Sequence, residues 1–290
     1  MKKVLLVDGN SFFYRSYYAS IKFSENLYNS KGGVYTAIRM LKKFLNDHKY
    51  QKILFTFDLD KKTIKHKIWP KYKITRKKTP DDLIQQMFFF EEFLNCLQIQ
   101  FFKNIDFEAD DLIASLAKIA LKKGFEVDII TNDRDLLQII EKNVNLFFTQ
   151  RGVTKIEKIN LMNFFDKYKI NPWQVTDLKA LIGDISDNLP GVKGIGPKTA
   201  LKLIHQFSKL EIIYENLQDI PLQIKNKLIK FKMDAFLTKD LGKLKNDISL
   251  FPEFEEQEYD FYSIPVINFY KKHNMFSLIK RPKIQNKFKY

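Results

Sequence analysis

The chain has 290 residues, 45% hydrophobic and 29% charged, which suits one or two globular domains and excludes disordered, collagenous or mucin-like polymers. A single cysteine, Cys96, and four scattered histidines exclude a disulfide framework and argue against a zinc site. The surplus of 49 Lys and Arg over 34 Asp and Glu gives a net charge of +15, which favours a polyanionic partner, nucleic acid before anionic membrane.

In chain order, Lys3–Val7 predicts a short buried strand ending at Asp8-Gly9-Asn10-Ser11. Only four apolar residues separate Lys3 from Asp8, so no targeting signal is expected there. No apolar run approaches the ~20 residues of a membrane span, and a soluble, cytoplasmic protein is expected. Further strands are predicted at Lys52–Phe57, ending at Asp58, at Gln98–Phe102, and at Glu126–Thr131, ending at Asn132-Asp133. Helices are predicted between them at Val34–Leu45, Pro80–Leu97 and Ala109–Lys122. This alternation predicts an α/β fold with a parallel or mostly parallel sheet, whose ligands lie outside the carboxyl ends of the strands. Beyond about residue 170 strand signals give way to short amphipathic helices at Pro172–Ile182, Pro197–Phe207, Ser208–Glu215 and Leu222–Leu237, with a last one at Phe269–Lys280 that packs back. The expected division is residues 1–171 and residues 172–290. One segment, Lys61–Lys78, has nine cations and no acid, interleaved with Trp69 and Tyr72. It reads either as a solvated loop or as a nucleic-acid surface on which bases stack and phosphates pair.

Nine acids fall at informative places: Asp8, Asp58, Glu108, Asp110, Asp111, Asp133, Asp135, Asp184 and Asp187. Taken singly, each has a plain explanation as a helix cap, a turn residue or a partner of the helix dipole. Asp184 and Asp187 are spaced so that both side chains can share a helical face. Together, acids gathered at one sheet edge repel one another unless cations compensate. Oxygen donors without His or Cys point to Mg²⁺ or Mn²⁺. Two such ions about 3.5–4 Å apart can clamp an in-line phosphoryl displacement. Acid cluster plus basic surface reads as a metal-dependent nuclease.

The loop Gly191-Val-Lys-Gly194-Ile-Gly196-Pro-Lys198-Thr199-Ala200 nearly fits a Walker A motif, but Pro197 removes a backbone N–H that the phosphate cradle needs, and no buried strand precedes it. It fits a helix-hairpin-helix turn better. Gly194 and Gly196 allow the hairpin, Pro197 suits the first helical position, and Lys193 and Lys198 flank N–H groups able to hold a DNA phosphate. A purely structural αα-hairpin is the alternative.

The ordered blocks Leu-Val-Asp8-Gly-Asn-Ser, Phe57-Asp58, Glu108-Ala-Asp110-Asp111-Leu-Ile, Asn132-Asp133-Arg-Asp135 and Gly183-Asp184-Ile-Ser-Asp187-Asn-Leu-Pro-Gly191 resemble the 5′-nuclease, or flap endonuclease, superfamily, and most of all the 5′–3′ exonuclease domain of bacterial DNA polymerase I. The likeness runs from Val4 to about Arg281. It implies a mixed, mostly parallel central sheet flanked by helices, a helical arch at about residues 61–97, and a C-terminal helical region with a helix-hairpin-helix at about residues 184–206. It implies two Mg²⁺ ions, with Mn²⁺ as a substitute, and allows a monovalent cation at the helix-hairpin-helix. Asp8, Asp58, Glu108 and Asp110 would serve one ion, and Asp110, Asp133, Asp135 and Asp187 the other, with Asp111 and Asp184 acting directly or through water. Lys73 and Arg76, in Tyr72-Lys73-Ile-Thr-Arg76, and Arg15 would act on the scissile phosphate. Lys65, Tyr72, Lys77, Lys78, Lys193, Gly194, Gly196, Lys198 and Thr199 would contact DNA.

Two departures stand out: Lys65 replaces a usual Arg, losing its bidentate fork, and Ser20–Gly33 is poor in prolines. No acid of the pattern is missing. The expected activity is cleavage near the 5′ ends of DNA flaps, nicks or junctions, including RNA-primed ends, by a monomeric stand-alone nuclease working beside a separate DNA polymerase and ligase. A non-catalytic junction-binding module and a PIN-type single-strand ribonuclease are the competing readings; intact acids oppose the first, and the hairpin motif opposes the second.

Overall fold

In the computed structural model, which describes residues 2–21, 31–151 and 155–279, the buried runs form six strands: β1 (Lys3–Asp8), β2 (Lys52–Phe57), β3 (Gln100–Lys103), β4 (Glu126–Thr131), β5 (Val144–Arg151) and β6 (Lys155–Ile159). They make one sheet in the order β3-β2-β1-β4-β5-β6. Every pairing is parallel except β5–β6. The sheet is therefore mixed and mostly parallel, as the alternation of elements predicts. The last two strands are additions: the charged alternation Lys-Ile-Glu-Lys-Ile of β6 is an edge-strand pattern that gives no buried run to detect.

The first half of the chain also supplies α1 (Gly9–Ile21), α2 (Gly32–Asp47), α3 (Ile64–Ile68), α4 (Asp81–Cys96) and α5 (Ala109–Lys122). Helix α1 was not expected; its aromatic-rich sequence has weak helical periodicity, and packing against β1 and α2 decides its state. Most of the proline-poor stretch Ser20–Gly33, residues 22–30, lies outside the described residues.

Helices then dominate: α6 (Leu161–Tyr168), α7 (Val175–Ile182), α8 (Pro197–Phe207), α9 (Leu210–Glu215), α10 (Leu222–Lys230), α11 (Lys232–Gly242) and α12 (Ile264–Lys272). The single helix expected over Leu222–Leu237 is two, broken at Phe231. The expected Phe269–Lys280 begins earlier, as α12, and closes in a 3₁₀ turn at Phe276–Leu278; Lys280 lies outside the described residues. Among the described residues no helix is long and apolar enough to cross a membrane.

Because side chains alternate along a strand, β1 feeds two cores. Val4 and Leu6 pack with α5 and with apolar residues of α6 to α11. Leu5 and Val7 pack with α1, α2, α4 and α12 on the other face. The first core runs without a break from the sheet into the C-terminal helices, so strands and helices hold one another in register. The second is a cluster of rings in which Phe90 lies 5.4–6.1 Å from Phe12, Phe13 and Phe55.

Phe90 is fully buried. Phe90→Ala should cost about 3–5 kcal/mol, read as a lower midpoint in urea unfolding; a midpoint shift equivalent to under ~1 kcal/mol would mean that this cluster does not hold α1 and α4 to the sheet.

Candidate active site

Parallel pairing carries the carboxyl ends of β1, β2 and β4 to one edge, and the acids that end those strands arrive together. The chain proceeds from β1 outward through β2 to β3 and then crosses to β4 on the other side of β1, so Asp8 and Asp133 flank the switch point of the sheet. Each is fixed by its neighbours. Asp8 accepts from Ser11 N at 3.0 Å and from Thr131 Oγ1 at 2.9 Å. Asp58 accepts from Ala109 N at 2.7 Å, which ties the end of β2 to the start of α5. Asp133 accepts from Asp135 N at 2.8 Å.

Helix α5 opens with a capping box in which the Glu108 and Asp111 side chains take each other's backbone N–H. Asp111 is 1% exposed, and its other oxygen accepts from Lys245 N at 2.8 Å. Its two oxygens are thus used in capping α5 and in tying it to the segment that follows α11.

Asp184 and Asp187 do not share a helical face. They sit in a tight turn closed by Asp184 N to Leu189 O at 2.9 Å and Leu189 N to Asp184 O at 2.8 Å, with Asn188 left-handed at φ 56°. The spacing brings the carboxylates together because the loop folds back. Its base is pinched by glycines: Gly183 and Gly191 both have positive φ, and a Cβ on Gly191 would lie 2.2 Å from Gly183 N.

Two acid groups result. Oxygens of Glu108, Asp110 and Asp111 lie within 4.8 Å of one another, as do those of Asp135, Asp184 and Asp187. A cation enters each. Lys65 Nζ lies 2.9 Å from Glu108, 3.5 Å from Asp111 and 3.9 Å from Asp110. Lys179 Nζ, from α7, lies 2.7 Å from Asp135, 2.6 Å from Asp184 and 3.8 Å from Asp187. Lys73 adds a contact to Glu108 at 2.5 Å and Arg76 one to Asp187 at 2.7 Å.

Residues 65–76 therefore close over the acids. Lys73 N donates to Asp187 O, Trp69 Nε1 to Asn188 O, and Asn188 Nδ2 to Lys71 O. Lys65 and Tyr72, expected to face DNA, are turned inward instead: Tyr72 is 2% exposed and its hydroxyl donates to Glu108 and Asp187. Buried carboxylates recruit the nearest donors, and these two satisfy them. Arg15, Lys73, Arg76, Lys77 and Lys78 line an open cleft of about 1410 Å³ whose floor holds Asp8, Asp58, Glu108, Asp133 and Asp135.

The glycine-loop residues are not part of that cleft. Gly191–Gly196 turns the chain between α7 and α8, with Pro197 at the first position of α8. Lys193, Gly194, Gly196 and Lys198 are exposed there, and Thr199 is half-buried. Sequence reasoning missed Lys179. The available signal was a lysine one position from Ala180 on the packed side of a short helix, where an aliphatic residue is the norm.

Compensation is uneven. Burial works against ionised Glu108, but Lys65 and Lys73 outweigh it and hold its pKa at about 2. Asp8 is pushed up to about 7, first by burial and then by Asp58. Burial and the neighbouring acids raise Asp58 and raise Asp133 well above the carboxylate range. Among the described residues, Asp8, Asp58 and Asp133 make no ion pair. Asp8 is buried, Asp133 half-buried and Asp58 open to the cleft; oxygen-only and short of positive charge, they fit a hard divalent cation.

Comparison with known proteins agrees with this geometry. Residues 3–169 match the family model for the 5′-3′ exonuclease N-terminal resolvase-like domain, and residues 170–263 match that for the 5′-3′ exonuclease C-terminal SAM fold. DNA polymerase I of Bacillus subtilis is 37% identical over 282 residues, 97% of this chain and 32% of the polymerase. The 5′-3′ exonuclease of Buchnera aphidicola subsp. Baizongia pistaciae is 35% identical over 257 residues, 85% of this chain and 82% of that protein. The chain thus spans about a third of the polymerase relative but most of the Buchnera protein. In fold it is similar to the T5 D15 protein co-crystallised with metal ions, with TM-score 0.68, 20% identity and coverage of 84% of this chain and 90% of that one. The catalytic core of Rad2 in complex with a DNA substrate follows with TM-score 0.62, 17% identity and coverage of 96% and 92%.

The raised acids make a prediction about stability. Asp8 and Asp133 bind protons more tightly folded than unfolded, so metal-free protein loses stability as pH rises from the ordinary aspartate value, about 3.9, towards about 7. At a fixed concentration equal to about 100 times its Kd at pH 8, a divalent cation that replaces those protons should stabilise by about 2.7 kcal/mol at pH 8 and by less at pH 5.5, where protons compete for the same oxygens. Thermal melts in EDTA and in Mg²⁺ at both pH values check this; equal shifts at the two would contradict it.

Proposed function

The chain belongs to the 5′-3′ exonuclease family, and from that premise we propose that it hydrolyses phosphodiester bonds near the 5′ ends of DNA at flaps, nicks and junctions, with two Mg²⁺ ions that Mn²⁺ can replace. The observation that carries the proposal is the shortage of positive charge around Asp8, Asp58 and Asp133, on the floor of a cleft whose rim is basic. Asp8, Asp58, Glu108 and Asp110 would hold one ion, and Asp133, Asp135 and Asp187 the other, with Asp110 between them. Bound there, the ions would acidify a water and offset charge on the phosphoryl oxygens.

The chain's own residues supply the rest. Arg15, Lys77 and Lys78 line the cleft and offer charge to a phosphodiester backbone. Lys73 and Arg76, which pair with Glu108 and Asp187, line it too and would turn to the phosphate as charge develops on it. The exposed turn at Lys193–Lys198 would grip a phosphate of the duplex through N–H groups at the start of α8, independent of sequence, and would take a monovalent cation there. Such cleavage suits removal of flaps and RNA-primed ends in replication and repair, beside a DNA polymerase and a ligase.

A labelled 5′-flap duplex and a matched blunt hairpin, each incubated in Mg²⁺ and in EDTA, provide the test. Metal-dependent cleavage near the flap junction is expected, and binding without cleavage in Mg²⁺ and Mn²⁺ alike would overturn the proposal. Asp133→Asn should keep DNA affinity and lose at least about 100-fold in rate, or roughly 3 kcal/mol.

A further inference from the structure

Among the described residues four cations meet the acids: three belong to residues 65–76, and the fourth, Lys179, belongs to the packed helical layer. Its side chain is 10% exposed, and its ammonium contacts both oxygens of Asp135 at 2.7 Å and Asp184 at 2.6 Å. The opposing helix makes room for it. A Cβ on Gly242, the last residue of α11, would lie 3.3 Å from Lys179 Cδ, in tight contact with the stem. Burial alone would favour the neutral amine, yet Asp135 and Asp187 outweigh it and keep the charge. The base of the acidic turn is also joined to α7 by Gly183 N to Lys179 O at 2.8 Å, so cation and acids share one piece of backbone.

We propose that Lys179 is a positioning residue that acts as a resident cation. Its ammonium gathers Asp135, Asp184 and Asp187 before any metal arrives and supplies part of the positive charge that this group would otherwise draw from solution. The inference rests on reading the acids as metal ligands. Lys65, Lys73 and Arg76 come from residues 65–76, which lie over the acids rather than within the packed helices. Lys179 is held by α7 and α11 and stays when metal binds. A divalent ion held by Asp133, Asp135 and Asp187 therefore works against a fixed charge, while the ion at Asp8 and Asp58 does not.

The test is Lys179→Met, which keeps the stem and removes the charge, followed by Mn²⁺ titration with detection of free Mn²⁺ by electron paramagnetic resonance and by melts in EDTA and in Mg²⁺. The variant should bind its weaker Mn²⁺ at least roughly tenfold more tightly than the unmodified protein. It should also melt lower in EDTA and recover most of that loss in Mg²⁺, since a metal ion can replace the missing charge; a packing role alone would leave the deficit in both. Lys179→Met/Asp184→Asn, which restores the net charge of the group, should return Mn²⁺ binding towards the unmodified isotherm. An unchanged Lys179→Met isotherm, a deficit that Mg²⁺ does not repair, or a variant unfolded with and without metal would each overturn the role of Lys179. No Mn²⁺ uptake by the unmodified protein would instead remove the metal reading on which it rests.

Discussion

Like charges do not gather inside a protein unless something opposes them, and opposing them is the constraint around which this molecule is arranged. Two carboxylates 4 Å apart repel by about 4 kcal/mol at an effective dielectric of 20, and here nine acids share one edge of a sheet. Among the described residues, backbone N–H groups, three hydroxyls and four side-chain cations answer part of that repulsion. The placing of α3, the closure of residues 65–76 and the burial of a lysine between α7 and α11 all follow from it. Where the answer is incomplete, around Asp8 and Asp133, the protein is prepared for a partner it does not itself contain.

The parallel sheet makes that concentration possible. Strands running the same way deliver their last residues to one edge, and the crossover from β3 to β4 leaves a crevice beside β1. Apolar packing on both faces holds the edge in place. The acids of the site thus lie at the ends of strands whose interiors are mostly apolar, as in Val4–Val7 and Ile53–Phe55, while the one acid inside β4, Asp128, is satisfied by Tyr50 and Asn145.

The features legible in the sequence were those with a strong local signature. Buried parallel strands are continuous apolar runs, so β1, β2 and β4 could be placed to within a residue, and an acid ending each run marked the active edge. The antiparallel extension β5–β6 lacked that signature, and α1 depends on contacts rather than on periodicity. The division at Phe231 was hidden because both halves carry a compatible apolar stripe. The acids announced themselves by order and spacing, but their counter-ions did not. Lys65 and Tyr72 looked like surface groups because cations and aromatic rings are common to nucleic-acid surfaces and to buried ion clusters. Burial tells the two apart, and burial of a loop is a tertiary property. Lys179 was passed over for the same reason: a single lysine in a helix is usually exposed.

The glycine pair at the base of the acidic turn ties two distant tasks to one lever. Gly183 and Gly191 touch through their backbones, and Val192 N donates to Leu181 O at 3.0 Å, so the turn carrying Asp184 and Asp187 and the turn leading into α8 leave the same knot. There is no slack chain between them. A pull on the outer turn, the one that presents Lys193 and Lys198 to solvent, would bear directly on the inner turn. The knot therefore works as a fulcrum between the two turns, so a load on the outer one would be registered at the acids.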